Sequence, residues 1–67
     1  MRQERLAKDR SGDDGCPGVE LDLDGGDLLI TGLVVDATQL GQVLPGEGVV
    51  RIKPDIVMEA MRRYQAR

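Results

Sequence analysis

Four carboxylates crowd one short stretch of this sequence: Glu20, Asp22, Asp24 and Asp27, set around the pair Gly25-Gly26. Side chains of this type at such spacing suggest three kinds of chemistry: a calcium loop, a pair of acids for general acid–base work, or no chemistry beyond wetting one side of a hairpin. Calcium loops of the EF-hand kind take oxygen ligands at the first, third, fifth and twelfth positions. Counting from Asp22, the third position is Asp24, but the fifth is Gly26 and the twelfth is Leu33. An acid pair for glycoside cleavage needs a cleft between the carboxylates, and the chain has no Trp or Phe to stack on a sugar. The carboxylates are therefore expected to be a solvated strand face, with no metal and no cofactor.

The remaining inventory is equally poor in catalytic material. There is no histidine, and Cys16, Ser11 and Tyr64 are the sole residues of their types. Nucleophilic catalysis by the usual routes needs a nucleophile with an adjacent base, and structural zinc sites need several Cys or His ligands. No catalytic residue is assigned, and the chain reads as a protein that is not an enzyme. Cys16 sits before Pro17 among acidic neighbours, which raise a thiol pKa and blunt its reactivity. It is expected to be a small residue at a strand entrance, or the site of an intermolecular disulfide on oxidation. A lone cysteine cannot close a disulfide within the chain, no apolar run approaches the roughly 18 residues of a membrane span, and no apolar signal core follows the basic start. These features point to a cytoplasmic protein without a membrane partner.

The elements that must position these residues follow from periodicity. Val19, Leu21 and Leu23 alternate with Glu20, Asp22 and Asp24, the period of a half-buried strand. A two-residue turn at Gly25-Gly26 would set Leu23 opposite Leu28, Leu21 opposite Ile30 and Val19 opposite Gly32. The inner face would hold Val19, Leu21, Leu23, Leu28, Ile30 and Val34. The outer face would hold the acids together with Leu29, Leu33 and Val35. Asp36, with Gln39 three residues on, has capping-box spacing for a short helix through Leu40, Val43 and Leu44 that ends at Pro45-Gly46. Residues 49–53 read as a third strand, with Val50 and Ile52 inward and Arg51 and Lys53 outward. Pro54 suits the first position of a final helix, whose stripe is Ile56, Val57, Ala60, Met61 and Tyr64. The expected fold is α+β, in the order ββαβα, over residues 19–67. Residues 1–18 read as a disordered, flexible arm that is dispensable for folding.

Charge is segregated along the 67 residues, whose net charge is −3. Residues 1–10 carry four bases and two acids; residues 11–48 carry eight acids and no base; residues 49–67 carry five bases and two acids. An acidic middle between basic ends can attract itself or a second copy, and the overall sign argues against non-specific nucleic-acid binding.

The run Cys16-Pro17, Val19, Gly26-Asp27-Leu28-Leu29-Ile30-Thr31-Gly32, Val35-Asp36, Pro45-Gly46-Glu47 and Val49-Val50 with Ile52 resembles short uncharacterised actinobacterial proteins encoded beside helix-turn-helix regulators. The layout is similar to that of the BldB-like small regulators of Streptomyces. The resemblance spans residues 16–56 and implies an accessory role in transcriptional regulation, exerted by protein contact. The expected function is thus a small protein–protein interaction module, homodimeric or bound to a helix-turn-helix regulator. Leu29, Leu33 and Val35 on the hairpin, with Arg62 and Arg63 on the last helix, are its expected surface. The alternative is a DNA-binding regulator of ribbon-helix-helix type over Val49–Arg67, reading nucleic acid through Arg51 and Lys53.

Overall fold

The computed structural model describes residues 2–9, 17–36, 38, 40, 41 and 43–67. Six elements follow in order: β1 (Gln3–Lys8), β2 (Gly18–Asp22), β3 (Leu28–Thr31), β4 (Leu33–Val34), β5 (Val50–Arg51) and α1 (Pro54–Gln65). Strands β1, β2 and β3 form an antiparallel sheet in that spatial order, and β4 pairs with β5 in a separate two-stranded ribbon. The class is α+β, as the periodicity implies, but the order of elements differs from ββαβα.

The largest correction concerns the N-terminal residues. Residues 3–8 are not a flexible arm. They form β1, paired along β2 from Gln3 opposite Asp22 to Lys8 opposite Gly18, and Leu6 and Ala7 are core residues, Leu6 with only 1% of its surface exposed. A bulge between Arg5 and Ala7 is the reason the sequence hides this strand. Two residues of β1 there oppose one of β2, so the consecutive pair Leu6-Ala7 points inward and no alternation is visible. The pairing extends past the strand ends, where the Leu23 amide donates to the Arg2 carbonyl at 2.9 Å and the Asp9 amide to the Pro17 carbonyl at 2.8 Å. Of the expected arm, residues 10–16, Cys16 among them, lie outside the described residues.

The β2–β3 hairpin keeps the expected faces but not the expected register. Leu21 lies opposite Leu28 and Val19 opposite Ile30, two residues away from the pairing implied by a Gly25-Gly26 turn. A slip of two preserves which side each residue faces, whereas a slip of one would invert it. The longer turn is stabilised by Asp22, whose Oδ1 accepts from the Asp24 amide at 2.9 Å and the Gly25 amide at 3.1 Å. The Gly26 amide returns to the Asp22 carbonyl at 2.8 Å, with Gly26 at φ +87°, where a side chain is disfavoured.

Helix α1 starts at Pro54, whose missing N–H costs nothing in the first turn, and carries Asp55 near its positive end and Arg62 and Arg63 near its negative end. It lies across β1 and β2. Ile56 and Ala60 meet Leu6, Ala7, Val19 and Leu21 in the core, with Leu28, Ile52 and Met61 packed around them. Tyr64, expected in the buried stripe, is exposed.

The helix covers β1 and β2, so two residues expected inside are not. Ile30 is 47% exposed and Val34 86%; the core places assigned to them are occupied by Leu6 and Ala7. Leu23, in the turn, is also exposed. The expected third strand shrinks to Val50–Arg51, and Val50, expected inward, is exposed on the ribbon. The expected helix over 36–44 falls partly on residues outside the described ones. Asp36 does bind its cap partner, the Thr38 amide, at 3.0 Å, but Leu40 and Leu44 are exposed rather than turned to the core. Gly32 joins β3 to β4 where a Cβ would collide with the Arg51 carbonyl, so the ribbon closes only over a residue without a side chain.

Leu6→Ala is expected to cost about 2–5 kcal/mol, the range for truncating buried aliphatics, and Ile30→Ala clearly less; chemical denaturation of both variants measures the difference. Deleting residues 1–9 is expected to abolish the cooperative melt followed by circular dichroism.

Candidate interaction surface

Among the described residues, the ribbon positions the most exposed large apolar groups. Leu33 lies opposite Arg51 and Val34 opposite Val50, and the Val35 amide donates to the Val49 carbonyl at 3.0 Å. A strand pair this short has no sheet on either face, so its side chains stay in water: Leu33 is 70% exposed and Val34 more so. Beyond the ribbon, Pro45 and Gly46 form a turn closed by the Glu47 amide on the Leu44 carbonyl at 3.0 Å, and Glu47 Oε1 accepts from the Leu44 amide at 2.9 Å. That turn holds Leu44 out in solvent.

The sequence-expected surface residues separate into three places. Leu29 lies opposite Glu20 on the sheet face away from α1 and is half-buried; Val35 is half-buried too. Leu33 lines an open groove of about 350 Å³ with Pro17, Ile52 and Pro54 as apolar walls and Arg51, Lys53 and Asp9 as charged ones. Arg62 and Arg63 are at the other end of α1, both reaching Glu59, at 3.8 and 3.4 Å. Eight to nine residues of helix, about 12–14 Å at 1.5 Å each, separate them from Pro54. The structure thus brings Leu33 together with Arg51 and Lys53, not with Arg62 and Arg63.

Arg51 and Lys53, the residues of the nucleic-acid alternative, project into this groove. Lys53 is drawn to Asp9, Nζ to Oδ2 3.8 Å. A ribbon-helix-helix protein pairs its strand with the same strand of a second copy; here β5 already pairs with β4 of its own chain.

The carboxylates that raised the question of a site serve the turn. Asp22 ties down its amides. Asp24 accepts from the Arg2 backbone amide at 3.0 Å and from Arg2 Nε at 2.9 Å, and these bonds, the backbone one first, hold its carboxyl below the ordinary aspartate value of 3.8. Thr38, through its hydroxyl and then its amide, lowers the Asp36 carboxyl likewise. The base that relieves the acidic turn is therefore Arg2. Its separation in sequence, 22 residues, left no local signal. Among the described residues no three His, Cys, Asp or Glu side chains converge as metal ligands, and no buried side-chain polar atom lacks a partner. What the arrangement offers is apolar surface and free backbone. No family model, curated protein or solved structure matches this chain.

Asp24 supplies a pH prediction. A depressed carboxyl contributes stability that is present above its unfolded value and is lost as pH falls through the lower folded value. The melting-temperature gap between the wild type and Asp24→Asn is expected to be widest above about pH 5 and to close towards about pH 2. Thermal melts of both proteins across that range check it.

Proposed function

We propose that this protein is a non-enzymatic protein–protein interaction module, an accessory regulator that acts on a transcription factor by direct contact in the cytoplasm. The observation that carries the reading is the exposed apolar ribbon, with Leu33 on one face and Val34 on the other, both largely in water among the described residues. Small domains seldom leave adjacent large aliphatics in water without a partner. The shortage of catalytic side chains supports a binding role over an enzymatic one. The resemblance to chains encoded beside helix-turn-helix regulators supports that class of partner.

The test is co-expression with candidate helix-turn-helix regulators from the source genome. A stoichiometric complex is expected, lost in the double variant Leu33→Glu, Val34→Glu while the variant melts as cooperatively as the wild type. A complex that survives the double variant would move the contact elsewhere; no complex at all would remove the regulator as partner. The groove that gathers Arg51 and Lys53 favours one second reading, DNA contact. A salt-sensitive shift of a specific fragment by this protein alone, abolished by Arg51→Ala with Lys53→Ala, would replace the first.

A further inference from the structure

The two edges of the three-stranded sheet are built differently. Edge strands present unpaired N–H and C=O groups, and proteins guard them with charge, proline or bulges. The β1 edge is guarded: it carries Glu4, Arg5 and Lys8 and the bulge at Arg5/Ala7. The other edge runs from Leu28 through Gly32 to Val34, LLITGLV, with no charge and no proline.

The hydrogen bonds show that this second edge is open along its length. The Asp22 amide donates to the Asp27 carbonyl and the Val35 amide to the Val49 carbonyl. In antiparallel pairs, hydrogen-bonded positions alternate. Asp27, Leu29 and Thr31 therefore turn their backbone groups to β2, and Leu33 and Val35 turn theirs to β5. The backbone groups of Leu28, Ile30 and Val34 point to the opposite edge, where no described residue meets them.

We propose that this edge pairs with the same edge of a second copy, antiparallel about a two-fold axis at Thr31. This rests on the reading of the protein as an interaction module and names its occupant. The pairing that matches Leu28–Val34 with itself sets Leu28 opposite Val34, Ile30 opposite Gly32 and Thr31 opposite Thr31. Ile30 and Val34, the exposed residues that α1 fails to cover, gain apolar neighbours across the seam. Asp27 falls opposite Val35, so no like charges meet. A two-fold contact also makes one surface serve both sides, so the uncharged strand needs no complement other than itself.

Light scattering on the purified full-length chain is expected to give twice the chain mass, and Ile30→Pro half of that with a cooperative melt retained. Proline at an outward-facing edge position removes only the N–H that the second copy uses. Thr31→Cys in a Cys16→Ser background is expected to form a disulfide-linked dimer on mild oxidation, and this decides the matter should the proline variant not fold. A one-chain mass for the wild type at all concentrations overturns the self-pairing. So does a two-chain mass without the Thr31→Cys cross-link, which places the dimer elsewhere. Regulator binding by a wild type that has a one-chain mass at all concentrations would leave the interaction reading standing while removing this inference.

Discussion

The contact among Leu6, Val19 and Ala60, where β1, β2 and α1 meet, is the constraint on which the rest of the structure depends. The chain has no Phe and no Trp, and among the described residues its core is six small or aliphatic side chains. With so little to bury, a single helix of 12 residues covers two strands well or three poorly. It covers β1 and β2. Everything on the β3 side follows from that placement: Leu28 is partly sheltered, Ile30 is half in water, and Leu33 and Val34 of the ribbon lie outside the core.

The same placement resolves the segregation of charge. The basic residues 2–9 return to the acidic hairpin, where Arg2 meets Asp24 and Arg5 meets Glu20 directly across the strands at 3.7 Å. The last helix brings Arg67 to Glu4 at 3.2 Å, and Lys53 leans to Asp9. Exposed pairs of this kind each contribute little to stability. Their value is in orientation: they bias β1 towards the register in which Leu6 and Ala7 face the helix. Two acids of the middle segment, Glu20 and Asp24, thus meet bases of the N-terminal segment within the chain.

A division of labour emerges between the two sides of the molecule. The β1 side is charged, bulged and closed by ion pairs, features that discourage further strand addition. The β3–β4 side is uncharged, has open backbone and carries the apolar ribbon. Substitutions on the first side should register as losses of stability. Those on the second should register as changes in what the protein binds.

Taken alone, the sequence settled what depends on local periodicity and local chemistry. The alternation through Val19–Leu23 marked β2 and its faces, Pro54 and the stripe from Ile56 to Met61 marked α1, and the calcium-loop spacing failed on inspection of four positions. The α+β class follows from these. Leu33 was also legible as a surface residue, because it falls on the outward phase of the strand pattern. Tertiary structure decided the rest, and in each case the deciding interaction is remote or breaks periodicity. The bulge at Arg5/Ala7 erased the alternation that would have revealed β1. The Asp22 side chain, by binding two turn amides, moved the hairpin register by two residues. Arg2 reached across 22 residues to Asp24. Which strand the helix leaves open, and therefore that Ile30 and Val34 are surface and Leu6 is core, depends on three elements competing for one small apolar face, a competition that no local pattern records.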